Sequence, residues 1–125
     1  MEIYVAHSNS FDFKSELYAP LRNSELNTKH HLFLPHETDV FINTREIIRK
    51  CDVVIAEVSY PATGMGMELG WANDANKRII CIHKTGSKIS SSLKVVSDTF
   101  VEYSTISEIT TKLSEVISTV SVKLP

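Results

Sequence analysis

The chain has 125 residues, 42% of them apolar, and a formal charge of −2 from 13 basic and 15 acidic side chains. That size suits a single domain spanning residues 1–125 with a real core, and its scattered Lys and Arg form no basic stripe for polymeric nucleic acid. No apolar run approaches the roughly 18 residues of a membrane span and the opening residues lack a signal-peptide pattern, so a cytoplasmic protein without a membrane partner is expected.

Short apolar runs at residues 3–6, 32–34, 53–58 and 79–82, with a weaker one at 100–103, read as strands. Uninterrupted runs such as Val53-Val-Ile-Ala suit strands covered on both faces, which points to a parallel sheet. Between them, residues 11–21 read as a helix capped by Asn9 or Ser10 and ended or kinked by Pro20. Residues 43–50 read as a second helix and 65–75 as a third, with Asn76 as a left-handed stop. Residues 90–96 read as a short fourth. In the last helix Thr105 and Glu108 form a capping box, and Ile106, Ile109, Leu113, Val116, Ile117 and Val120 make one apolar stripe. Alternating strands and helices predict a single doubly wound, flavodoxin-like α/β domain with a five-stranded parallel sheet of order 2-1-3-4-5. Its ligand crevice lies past the C-terminal ends of strands 1 and 3.

Those ends carry the chemistry. Gly64 and Gly66 leave backbone open to a ligand. Glu68 is expected in the first turn of the third helix, where the helix dipole favours an ionised carboxylate. Such a group is a nucleophile or a cation stabiliser, although surface acids at helix starts also serve as plain dipole partners. Ser8, Asn9 and Ser10 read equally as anion ligands or as helix caps, and Ser90 to Ser92 more as caps than as anion ligands. Gly64-Met-Gly-Met-Glu-Leu-Gly70 is not a dinucleotide fingerprint, because the third glycine comes one residue late and no acid follows at the required distance. Lys84-Thr-Gly-Ser-Lys88 lacks the order of a P-loop. Cys51 and Cys81 adjoin or sit in buried strands and read as inert thiols in a reducing compartment. The five histidines show no zinc spacing, and His30 and His31 would point to opposite faces of a strand, so no metal is expected.

The string Ala56-Glu-Val-Ser-Tyr-Pro-Ala-Thr-Gly-Met-Gly-Met-Glu68-Leu-Gly resembles the active-site segment of the nucleoside 2-deoxyribosyltransferases. It is closest to their relatives, the 2′-deoxynucleoside 5′-monophosphate N-glycosidases. The opening Ile3-Tyr-Val-Ala-His-Ser8 is similar to that family's first strand and loop. The resemblance implies that Glu68 attacks the anomeric carbon of deoxyribose, displaces the base and forms a glycosyl ester, which water or a second base then resolves. It implies no cofactor and no metal, a small nucleoside or nucleotide as partner, and a homodimer or larger assembly. Tyr4 takes the place of the family's tyrosine near the nucleophile, and Ser92 that of the serine that contacts the 5′-phosphate. His7, Ser8, Asn9, Thr63, Gly64 and Gly66 complete the expected substrate site.

The chain departs from the pattern at Thr44, where the family carries an aspartate thought to protonate the base or hold the sugar. Asp39, Glu46 or Glu57 would then serve, with Glu57 the first choice as the acid that ends strand 3. Ala62 replaces a phosphate-binding serine, and the first loop is bulkier than in the hydrolases. Two other readings stand beside this one. The opening strand and Glu-Leu-Gly-Trp-Ala72 are also similar to TIR-like domains whose active members cut nicotinamide from NAD. The Thr44 departure alternatively suits a nucleotide-binding or interaction module that has lost catalysis.

Overall fold

The computed structural model describes residues 1–120. Five strands run parallel: β1 (Glu2–His7), β2 (His31–Phe33), β3 (Val53–Glu57), β4 (Arg78–Lys84) and β5 (Thr99–Tyr103). They lie in the order β2-β1-β3-β4-β5. Strand alternation divides the core into two layers. Ile3, Val5, Val53, Ile55, Ile80 and Ile82 face one side and pack with helices α1 (Ala19–Arg22), α2 (Glu25–Lys29) and α5 (Ile106–Ser118). Tyr4, Ala6, Val54, Ala56, Ile79 and Cys81 face the other and pack with α3 (Thr44–Lys50) and α4 (Thr63–Asp74). Every strand residue of β3 is buried, as its unbroken apolar run requires.

The helices differ from expectation in instructive ways. The span 11–21 is split: Lys14–Tyr18 winds as a π-helix and feeds directly into α1. Pro20 sits at the start of α1. Its ring and missing N–H cannot join an ordinary α-helical ladder running through it, and the wider π turn relieves the conflict. Asp12, not Asn9 or Ser10, offers a side-chain oxygen to this segment, taking the Ser15 N–H at 3.3 Å. Helix α2, at five residues, is too short to carry a periodic signal in the sequence.

Helix α3 is capped by Asn43, whose side chain accepts the Arg45 N–H. Helix α4 begins at Thr63, two residues before the expected start. It ends in a Schellman motif: Asn76 adopts φ +58°, its N–H bonds the Asn73 carbonyl at 3.0 Å, and the Lys77 N–H bonds the Ala72 carbonyl at 2.9 Å. The fourth helical span is a single 3₁₀ stretch, Ser91–Val95. In α5 the expected capping box is displaced by one residue. Glu108 accepts the Ser104 N–H at 2.8 Å, while the Thr105 side chain makes no cap bond and pairs instead with Ser107.

Candidate active site

The order β2-β1-β3 places the reversal of winding between β1 and β3, and a cleft of about 970 Å³ opens there. One wall is the loop after β1 and the π-helix, with His7, Asn9, Phe13 and Lys14. A second is the stretch 35–45 after β2, with His36, Asp39, Phe41, Thr44 and Arg45. The third is the start of α4, with Ala62, Gly64, Met65, Met67, Glu68 and Trp71.

Glu68 lies in the second turn of α4, not the first. Its environment corrects the expectation of an acid ionised by the helix dipole. Burial pushes its carboxyl above the usual range, while hydrogen bonds from Tyr4 and Thr44 and the charge of His36 pull in the other direction. Both hydrogen bonds fall on one oxygen. The Tyr4 hydroxyl donates to Oε2, and the Thr44 Oγ1 donates to the same atom at 2.8 Å. Oε1 takes no hydrogen bond among the described residues and belongs to a side chain that lines the cleft. The result is a carboxylate gripped by one oxygen and free at the other.

Tyr4 is fully buried at the middle of β1, with its ring stacked on Phe33 at 5.6 Å. It does not line the cleft, so it holds Glu68 from behind. Burial and the Glu68 carboxylate push the Tyr4 phenol well up, which keeps it a hydrogen donor.

The first choice among the replacement acids is overturned. Glu57 has no exposed surface and lines no cleft. The Tyr103 hydroxyl donates to its Oε2, and the Ser59 N–H donates to Oε1 at 2.5 Å. It locks the end of β3 to β5, away from the cleft. Glu46 is an exposed residue paired with Arg49 at 3.2 Å on α3. Asp39 alone of the three lines the cleft.

The expected substrate ligands divide likewise. His7, Asn9 and Gly64 line the cleft. Ser8 does not; it is buried in a local turn, accepting the Ser10 N–H at 3.0 Å. Thr63, Gly66 and Ser92 are exposed and outside the cleft lining. Ser92 donates its N–H to the Ser90 side chain at 3.3 Å, the capping alternative for that serine run.

His7 is 6% exposed. Its Nδ1–H donates to the Ser8 carbonyl at 2.9 Å and its Nε2 accepts the Tyr18 hydroxyl at 2.6 Å. Burial pushes it down to about 4, so it stays neutral near pH 7.

The residues missed by sequence reasoning are His36, Phe13, Lys14, Phe41 and Arg45. None belongs to a motif, and only the fold brings them to one cleft. Lys14 and Arg45 take part in no ion pair among the described residues. No group of three His, Cys, Asp or Glu among the described residues is placed to hold a metal ion, and no helix among them is long and apolar enough to cross a membrane.

Fold and cleft together define a doubly wound α/β domain that presents a tethered carboxylate at the switch point of its sheet. The chain belongs to the nucleoside 2-deoxyribosyltransferase family, whose model matches residues 4–108. Among curated proteins it is 43% identical over 51 residues to the 5-hydroxymethyl-dUMP N-hydrolase of Tetraodon nigroviridis, covering 39% of this chain and 36% of that one. It is 39% identical over 67 residues to the human protein of the same name, covering 52% of this chain and 36% of that one. The match thus spans little more than a third of either relative. A solved structure, the CMP N-glycosidase BcmB of Clostridium botulinum, superposes with a TM-score of 0.67 at 20% identity, covering 91% of this chain and 99% of that one. That likeness is one of fold.

Proposed function

We propose that this protein cleaves, or exchanges the base at, the N-glycosidic bond of a (deoxy)nucleoside 5′-monophosphate, with Glu68 as nucleophile. The observation that carries the proposal is the asymmetric grip on Glu68. Oε2 is fixed by Tyr4 and Thr44, and Oε1 is left to attack C1′ as positive charge builds there. Two displacements give retention at C1′. Family membership and relatives named as nucleotide N-hydrolases support the same chemistry. The unpaired Lys14 and Arg45 suit an anionic 5′-substituent, and Phe13, Phe41 and Trp71 offer apolar surface to a base.

The stretch beside the cleft leaves Phe41 93% and Val40 68% exposed. In keeping with the assemblies that the family resemblance implies, we assign this apolar rim to a second copy of the chain. Buried free Cys51 and Cys81 suit the reducing cytoplasm.

Incubation with a panel of deoxynucleoside monophosphates should release free base, and mass spectrometry should trap a deoxyribosyl ester on Glu68. Glu68→Gln should lose at least about 10³-fold in turnover. The same variant should be more stable by about 1 kcal/mol at neutral pH, because it removes a carboxylate whose ionisation burial opposes. The sign follows from the raised carboxyl: the folded state favours the protonated form, so the charge costs stability above the folded titration point and nothing below the unfolded one. A folded protein that releases base from no member of the panel defeats the proposal.

A further inference from the structure

We infer that His36 is the proton donor to the departing base, the task for which the family pattern has an aspartate where this chain has Thr44. The inference rests on the glycosidase reading. A nucleobase leaves poorly as an anion and needs a proton as the C1′–N bond breaks. Thr44 cannot supply one, since its hydroxyl hydrogen is committed to Glu68. Glu57 is sealed against Tyr103 and Ser59. His7 has both ring nitrogens occupied. Lysine and arginine as side-chain types are too basic to release a proton readily, which sets Lys14 and Arg45 aside.

His36 differs from all of these. Its backbone N–H is anchored on the Tyr18 hydroxyl at 3.0 Å, and its ring lies 5.5 Å from that of His7 and 5.9 Å from that of Phe13. Yet neither ring nitrogen is hydrogen-bonded among the described residues, and the side chain lines the same cleft as Glu68. Imidazole both gives and takes a proton near neutrality. The charge of His36 also acts on Glu68, favouring the ionised nucleophile. The titratable groups that meet or act on it are His7 from β1, Tyr18 from the π-helix and Glu68 from α4. His36 and Asp39, the competing acid, are both exposed, but Asp39 has neither a hydrogen bond nor an aromatic contact among the described residues to hold it in place.

The step balances. Glu68 Oε1 bonds to C1′, the C1′–N electron pair passes to the base, and the imidazolium N–H of His36 protonates that base. Water then attacks C1′, the ester bond to Glu68 breaks, and the water proton returns to the His36 imidazole.

The experiment uses a purine 2′-deoxynucleoside monophosphate and its N7-methylated counterpart, whose base departs neutral without a proton. His36→Gln should lower kcat/KM by about 10²-fold or more on the unmethylated substrate. On the methylated one the loss should shrink to a few-fold. Glu68→Gln should be inactive on both. Equal losses on the two substrates for His36→Gln overturn the assignment to His36 alone, as does the appearance of the leaving-group pattern in Asp39→Asn instead. A folded wild-type protein that releases base from neither substrate overturns the glycosidase reading, and this assignment with it.

Discussion

At the scale of the residue, the site turns on what replaces a charge. Where the family pattern has an aspartate, Thr44 gives this chain a neutral donor on Glu68 Oε2. A second carboxylate there would oppose ionisation of Glu68; the threonine hydroxyl favours it. Removing it should therefore move the acidic limb of the pH–rate profile upward. Thr44→Val should shift that limb by about one pH unit and cost about tenfold in kcat, in line with a hydrogen bond to a charged group. Thr44→Ser keeps the hydroxyl and should retain most of both properties. If serine loses activity while valine retains it, Thr44 acts through packing of its methyl group and not through its hydrogen bond. Sequence alone offers no way to see this, because a threonine in place of an acid reads as a loss until Glu68 is found 24 positions away at its hydroxyl.

At the scale of the element, the sheet is legible in the sequence and the stretch that completes the cleft is not. Unbroken apolar runs on β1, β3 and β4 announce strands covered on both faces, and the intervening helices then leave few topologies. Residues 35–43, between β2 and α3, carry no period, and His36, Asp39 and Phe41 acquire a role only when that stretch folds against α4. Glu57 misleads for a related reason. An acid at a strand end looks the same whether it faces a crevice or the interior, and its partner Tyr103 lies 46 positions on. The earlier start of α4 has a chemical consequence too: two extra residues move Glu68 out of the dipole-dominated first turn and into a setting governed by burial. The end of the same helix is legible, because Asn tolerates the left-handed conformation that a stop requires. With Asn76 at φ +58°, Asn76→Ala should cost about 1 kcal/mol, and Asn76→Gly should hold or slightly raise stability. Thermal melts of the two variants decide it; equal behaviour would mean that the Schellman bonds do not hold α4 against β4.

At the scale of the whole molecule, stability and the site share one buried group. His7 ends the inner strand β1, joins the Tyr18 hydroxyl, and through it the backbone of His36. Burial depresses its titration from the usual 6.5 to about 4. The unfolded chain therefore binds a proton between those values that the folded chain refuses. Stability from this group is complete above about pH 6.5 and is lost as pH falls toward 4. Each pH unit separating the folded and unfolded titrations is worth about 1.4 kcal/mol. The loss at about pH 4.5 thus amounts to about 2 to 3 kcal/mol, a large share of a small domain's stability. Glu68, whose carboxyl is raised, works the other way over an overlapping range and softens the slope. Urea titrations at about pH 7 and about pH 4.5 should show the wild-type protein losing this amount. His7→Gln, less stable at neutral pH for want of a fitting ring, should lose much less. Matching pH slopes in the two proteins would show that His7 is free to take up its proton in the folded state. The sealed connection from β1 to the His36 loop would then not exist.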